Sequence, residues 1–302
     1  MKPGRPCPPD PFRLAEDVPR PAPRGFCDTE GHVPPCLPAV LASARLAREG
    51  NAQVIDKLRA DVMSTLDAVP SGASLAVGGF GSSGRPDTLL DALCDLDRRD
   101  LHLIVNNVGS DFTGVGRMLA EGRIRRLTAS FPVLPEFYDE YFVGRVELEL
   151  IPQGTLAERL RAGGSGIAAF FTPSGAATML SDGTFPLRYT PDRVTAEFMT
   201  PRETREFGGR EHVLEYGIVA DFALVKAFQG DRKGNLRFRL SARNFNPLAA
   251  MAGRRTFAEI QHLVEVDQLH PDDIHLPGVF VDDVLLASPA SPKQPTIAEF
   301  SS

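Results

Sequence analysis

GRVELELIPQGTLAERLRAGGSGIAAFFT, residues 144 to 172, changes its hydrophobic period within a few residues, and that change decides the fold class. Val146, Leu148 and Leu150 alternate with Glu147 and Glu149, as in a half-buried strand. Pro152, Gln153 and Gly154 break the alternation, and Leu156 and Leu160, set among Glu158, Arg159 and Arg161, restart it at helical spacing. Gly163, Gly164 and Gly166 close that helix and release a second apolar run, Ile167 to Phe171, so the segment reads strand, turn, helix, strand. An open sheet of this kind binds ligands beyond the carboxyl ends of its strands, and the pattern puts Gln153 at such an end.

The same alternation extends upstream. It predicts strands over 74–79, 101–105, 124–130, 146–151 and 167–171, separated by helices over 86–96, 114–121, 135–142 and 155–162. Connections this short fit a right-handed, doubly wound, mostly parallel α/β sheet with flanking helices. A first helix is expected over 54–68, where Val54, Leu58, Val62 and Leu66 share one face. Downstream, 173–205 is polar and punctuated by Pro and Gly. A hairpin across Gly208 and Gly209, strands over 221–228, 257–264 and 279–285, a turn at Gly234 and Asn235 and a helix over 247–254 complete an elaborated C-terminal part. One domain over 51–287 results, preceded by a Pro-rich extension (1–50) expected to be disordered and followed by a flexible tail (288–302) rich in Ser, Pro and Ala.

Composition narrows the partners. The 302 residues are 42% hydrophobic and carry a net charge of -6, which disfavours a nucleic-acid surface and leaves any anionic ligand to a local site. No apolar run is long enough to span a membrane, and the N-terminus carries Pro and charge where an export signal would be apolar, so the cytoplasm is the expected compartment. The four cysteines form no CxxC, and no His–Cys spacing suits a metal.

Two features point to chemistry. GGFGSSG, Gly78 to Gly84, follows the first strand and precedes Pro86 at a helix start. Gly79, Gly81 and Gly84 satisfy GxGxxG in a strand-to-helix context, but Asp97 and Asp100 precede the second strand where a ribose-binding acid should end it. Three readings stay open: a dinucleotide turn, a plain tight turn, and a loop whose amides receive an anion or carbonyl. Asn106 ends the strand LHLIV as Gln153 ends the strand over 146–151, and a parallel sheet brings both carboxamides to one edge. A carboxamide donates a hydrogen bond without changing charge, which suits a transient oxyanion or a thioester carbonyl, although strand-end amides also merely satisfy turns.

A nucleophile is harder to find. Glu203, Glu206, Glu211 and Glu215 lie among Arg202, Arg205 and Arg210, the pattern of a hairpin with cross-strand ion pairs. The histidines make neither HxxxH nor HxH, and Ser83 and Ser165 lie outside any GxSxG. Lys226, Arg232, Lys233, Arg237, Arg239 and Arg243 form a local basic group that suits either cofactor phosphates or a partner's acids, and Asn244, Asn246 and Pro247 look like the cap of the following helix.

From Val54 to Leu286 the chain closely resembles the alpha subunit, or N-terminal half, of the family I CoA-transferases. The stretches that carry the resemblance are VGGFGSSG (77–84), IVNNVG (104–109), ELELIPQGTLAERLRAGGSGIAAFFTPSG (147–175), PRETREFGGREHVLEY (201–216), ADFALVKAFQGDRKGN (220–235), ARNFNPLAAMA (242–252) and DDIHLPGVFVDDV (272–284). The resemblance implies transfer of CoA from an acyl-CoA such as succinyl-CoA to a 3-oxo acid such as acetoacetate, with no metal and no permanently bound cofactor; the coenzyme A thioester is a substrate. It implies an acyl-glutamyl anhydride and a glutamyl-CoA thioester formed on a glutamate of a beta subunit, in a heterodimer or heterotetramer of the kind that serves ketone body metabolism. It makes Asn106 and Gln153 the residues that line the reacting carbonyl, and sets Gly78, Gly79, Gly81 and Gly84 along the same cleft. The chain departs from the family at GSSG, where a bulkier residue is usual, and at PSGAAT (173–178), where Ala177 replaces a glycine. FPLRY (185–189) is nearer the acetoacetate enzymes than those using 3-oxoadipate. The alternatives are a 3-oxoadipate enzyme, a relative turned to hydrolysis or another acyl reaction, and a non-enzymatic subunit.

Overall fold

The structure is a computed structural model that describes residues 55–109 and 112–288. The Pro-rich extension and all of the expected tail except Ser288 lie outside the described residues. The chain enters on an edge strand, β1 (Leu58–Arg59), and a short helix, α1 (Val62–Leu66). It then alternates through β2 (Ser74–Val77), α2 (Asp87–Asp95), β3 (Leu101–Val105), α3 (Val115–Ala120), β4 (Ile124–Ala129), α4 (Pro135–Phe142), β5 (Glu147–Leu150) and α5 (Gln153–Gly164). A second group follows: β6 (Ala169–Thr172), α6 (Met179–Asp182), β7 (Pro186–Tyr189), β8 (Thr195–Phe198), β9 (Thr204–Phe207) and β10 (Arg210–Tyr216). The chain then returns to the main sheet with β11 (Ala220–Asp231), β12 (Leu236–Arg237), α7 (Asn246–Ala252), β13 (Gly253–Val264) and β14 (Asp283–Leu286).

The main sheet runs β1-β14-β13-β11-β2-β3-β4-β5, parallel throughout, with β12 antiparallel on β11. It is the doubly wound α/β sheet expected from the alternation. The chain builds outward from β2 through β3, β4 and β5, and the later strands build the other way from β11, so the winding reverses between β2 and β11. At such a reversal the flanking connections diverge and leave a crevice at the carboxyl ends of the strands. Each strand alternates its side chains between two cores. Leu75, Leu103, Leu127 and Leu148 pack against α2, α3 and α4 through Leu89, Met118 and Phe137, while Ala76, Ile104, Ala223 and Ala258 face α5 and α7 through Leu156, Leu160 and Ala249.

Three expectations are corrected. The strand predicted over 167–171 does not join the parallel sheet. β6 pairs antiparallel with β10, in a three-stranded sheet with β9, and its residues are only partly buried, whereas an interior parallel strand is covered on both faces. The helix predicted over 54–68 shrinks to α1: Leu58 pairs with Val284, Lys57 Nζ donates to the carbonyls of Gly278 and Val281 at 2.8 and 2.6 Å, and Asp61 caps the helix by accepting from the amides of Met63 and Ser64. The stretch 173–205, read only as polar and punctuated by Pro and Gly, contains α6 and two strands, β7 and β8, too short to show a period. The hairpin across Gly208 and Gly209 forms as expected, with Phe207 opposite Arg210.

Candidate active site

The glycine loop lies at the winding reversal. Gly78 donates its amide to the Leu224 carbonyl at 2.9 Å, the last rung between β2 and β11, and Phe80 and Ser83 exchange backbone bonds of 3.0 Å that fold the loop back on itself. Gly79, Gly81 and Gly84 have φ of +112°, +59° and +73°, so the tight return needs residues without a Cβ.

Asn106 stands at the end of the neighbouring strand, and it lines one cleft together with Gly78, Gly79 and Gly81, with Arg85 and Asn107 beside them. Asn106 is buried, and its Oδ1 accepts from the Ser130 hydroxyl at 2.7 Å. That bond fixes the amide, and its Nδ2 donates to no acceptor among the described residues. The cleft has a volume of about 10 Å³, space for one water, so a ligand would lie across its mouth. Gln153, the first residue of α5, is exposed at the same edge but does not line the cleft. β4 lies between the strands that carry the two carboxamides, so their ends are about 10 Å apart at ordinary strand spacing.

Behind the loop sits a buried charge layer that sequence reasoning missed or misassigned. Arg85 pairs with Asp87 at 2.5 Å, and Lys226 pairs with Glu259 at 2.9 Å. Glu259 also accepts from the Thr88 amide at 2.9 Å. Burial pushes both the Asp87 and the Glu259 carboxyls up, although Arg85 and Lys226 oppose it. Both acids are engaged, and no carboxylate lines the cleft among the described residues. The basic group expected over 226–243 is dispersed: Lys226 is buried, Arg232 pairs with Asp56 at 2.8 Å, and Arg239 stacks over Phe228.

The departure at PSGAAT has a backbone signature. Ala177 has φ of +55°, the left-handed conformation that favours glycine, and Gly175 in the same turn approaches Pro152, next to Gln153. FPLRY lies elsewhere, its Tyr189 ring packed edge-on against Tyr141.

A larger cavity, about 380 Å³, opens between the main sheet and the small one, lined by Arg126, Arg159, Arg202, Glu149 and Glu215. Glu149 bridges Arg126 and Arg159 at 2.8 and 2.9 Å, and Arg202 holds the buried Glu215, which therefore makes no surface pair of the kind expected for the hairpin. Burial alone would raise the Glu149 carboxyl, but the Arg159 and Arg126 guanidiniums hold it at about 2. His102 Nε2 contacts Thr128 Oγ1 at 2.8 Å, and Thr128 donates to Glu149 at 3.0 Å, so His102 is the neutral Nε2–H tautomer. Burial, then Arg126, pushes its imidazole down to about 4. A depressed histidine stabilises the fold above the unfolded value of about 6.5, and that stability is lost as pH falls through about 4. Urea midpoints measured between pH 7 and 4 should therefore fall, and His102→Gln should flatten that part of the curve while leaving the loss below about 4.5 that belongs to Glu149. Equal slopes in both proteins would refute the assignment.

The family model described as Coenzyme A transferase matches residues 61–287. The chain is 49% identical over 232 residues to the A-type subunit of a probable succinyl-CoA:3-ketoacid coenzyme A transferase of Mycobacterium tuberculosis, covering 76% of this chain and 94% of that protein. It is 42% identical over 241 residues to the A-type subunit of the 3-oxoadipate CoA-transferase of Pseudomonas putida, covering 79% and 96%. The apoenzyme of an acyl-CoA transferase from Escherichia coli O157:H7 has the same fold, with TM-score 0.65 at 22% identity; the match covers 79% of this chain and 48% of that one.

Proposed function

The chain belongs to the coenzyme A transferase family, and from that premise we propose that it is the A-type subunit of a 3-oxoacid CoA-transferase, moving CoA from succinyl-CoA to acetoacetate in company with a B-type subunit. The observation that carries the reading is the cleft shared by Asn106 and the glycine loop at the winding reversal, where a buried, oriented carboxamide keeps a donor that no acceptor among the described residues takes up. The partner supplies a glutamate whose carboxylate oxygen attacks the thioester carbonyl. The C–S bond breaks, CoA leaves as the thiolate, and an acyl-glutamyl anhydride remains. The thiolate then attacks the glutamyl carbonyl, releasing the first acid and forming a glutamyl-CoA thioester. The acetoacetate carboxylate repeats the sequence in reverse and leaves as acetoacetyl-CoA.

In each step a tetrahedral oxyanion forms on a carbonyl. Asn106 Nδ2 donates to it, Gly78, Gly79 and Gly81 of the glycine loop border it, and Gln153 approaches from the outer side with the α5 N-terminus behind it. The exposed rings of Phe80 and Phe131, which follow β2 and β4 at this edge, provide apolar surface for a partner's wall or the acyl-pantetheine chain. On this reading residues 51–287 are the catalytic half-site, and the assembly is a cytoplasmic heterodimer or its dimer. The similarity to the Pseudomonas putida protein keeps 3-oxoadipate as a second acceptor to be tested.

The test is to purify this chain with a B-type CoA-transferase subunit from the same source and to supply succinyl-CoA with acetoacetate or with 3-oxoadipate. Formation of the 3-oxoacyl-CoA, with free CoA constant, is the expected result, acetoacetate being preferred. Release of free CoA without transfer to either acid would replace this reading with a hydrolase.

A further inference from the structure

Asn246 does not do what its position suggests. It opens α7 in a sequence that looks like a helix cap, yet Phe245 occupies the cap position and no side chain caps the helix. Asn246 is instead fully buried, and its carboxamide joins three separate parts of the chain. Oδ1 accepts from the Lys226 amide of β11 at 2.9 Å, and Nδ2 donates to the carbonyls of Gly84 at 2.9 Å and Ala242 at 2.8 Å.

Both ends of the glycine loop rest on this one amide. A Cβ at Gly78 would overlap Asn246 Oδ1, and a Cβ at Gly84 would come within 2.7 Å of Nδ2. Gly84 is therefore required by contact with Asn246 as well as by the turn, and Gly78 by that contact alone, since no positive φ demands glycine there. Asn244 Nδ2 adds a bond to the Ser83 carbonyl at 3.0 Å, so the whole outer limb of the loop is tied to the α7 entrance. The opposite wall of the cleft is Asn106, held separately by Ser130.

On the transferase reading above, we infer that Asn246 is a positioning residue: it sets the distance between the glycine loop and the Asn106 amide, and so the fit of the oxyanion between them. It touches no substrate. It acts through the loop: its bond to the Gly84 carbonyl, braced by those to Lys226 and Ala242, holds that limb in place when the carbonyl rehybridises. Preorganised donors of this kind cost nothing to reorient during the reaction, whereas a shift of about 1 Å lowers rates by about 100-fold.

The experiment uses the assembled A–B pair and measures single-turnover acyl-enzyme formation per folded site for Asn246→Ala, Asn106→Ala and the double variant, with thermal unfolding in parallel. Asn246→Ala should slow the first half-reaction by about 10- to 100-fold with KM for succinyl-CoA changed much less. The double variant should be slowed by well under the product of the single effects, because without the Asn106 donor the loop's placement has little left to serve. If Asn246→Ala fails to assemble, Asn246→Ser, which keeps one donor for the Gly84 carbonyl, replaces it in the same cycle. Normal rates per folded site, or single effects that multiply in full, would overturn the assignment and leave Asn246 a stabilising contact. Absence of transfer by the unaltered pair would instead remove the transferase reading and this inference with it.

Discussion

Asn106→Ala in the assembled pair should lose about 2 to 4 kcal/mol of transition-state stabilisation, or roughly 30- to 1000-fold in turnover. The residue is buried, its Oδ1 is fixed by Ser130, and it lines the cleft with the glycine loop, so the alanine removes a preorganised donor. The loss should fall on kcat and on kcat/KM alike, the sign of an interaction made in the transition state. Gln153→Ala gives the sharper structural control. Gln153 is exposed, and exposed substitutions shift stability by about 0.5 kcal/mol or less, so a rate loss in the same range with unchanged melting would put its amide on the carbonyl. Unchanged acyl-enzyme formation in Gln153→Ala would return it to the role of a helix start, about 10 Å of sheet away from Asn106.

The parts of this arrangement that were legible in the sequence are those set by local period. β2 to β5 are apolar runs or clean alternations between short helices, and once they are taken as neighbours in a parallel sheet, the glycine loop and Asn106 must lie side by side. Which sheet a strand joins is a different matter. Ile167 to Phe171 has the composition of any short strand, and only the half-burial of β6 and its pairing with β10 distinguish it from a fifth strand of the winding. Leu58 shares a helical spacing with Val62 and Leu66, yet a partner more than two hundred residues away claims it for β1.

The hidden half of the site follows the same rule. Asn246 reads as a cap because Asn before Pro usually is one, and its bond to Gly84 spans 162 residues. Lys226 reads as part of a basic surface, and only the register of β11 against β13 sets it opposite Glu259 and buries both. The one signal in the sequence was indirect: Gly78 has no turn to explain it, and a glycine without a conformational reason marks a close neighbour.

The second large effect concerns the chain by itself. Isolated from its partner, the chain should show no transfer above background, a loss of at least about 1000-fold relative to the pair. The mechanism needs a free carboxylate beside the Asn106 donor, and the described residues offer none. Asp87 is held by Arg85, and Glu259 is fully buried between Lys226 and the Thr88 amide; each is the counter-ion of a buried cation and cannot reach the cleft. Releasing either as a nucleophile would leave a buried charge unpaired, at a cost of several kcal/mol before any chemistry began. The large cavity lies away from the Asn106 cleft and its carboxylates are engaged: Glu149 is clamped by two guanidiniums that hold its carboxyl at about 2, Glu215 is buried against Arg202, and Glu203 pairs with Arg205 at 3.1 Å. Mixing the isolated chain with the separately purified B-type partner should restore transfer in proportion to the complex formed, as read by sizing and by acetoacetyl-CoA production on the same samples. Trapping the acyl-enzyme with hydroxylamine after incubation with succinyl-CoA should place the label solely on the B-type partner. Full turnover by the monodisperse single chain, or label recovered on one of its own carboxylates, would show that the nucleophile lies within this chain and overturn the half-site reading.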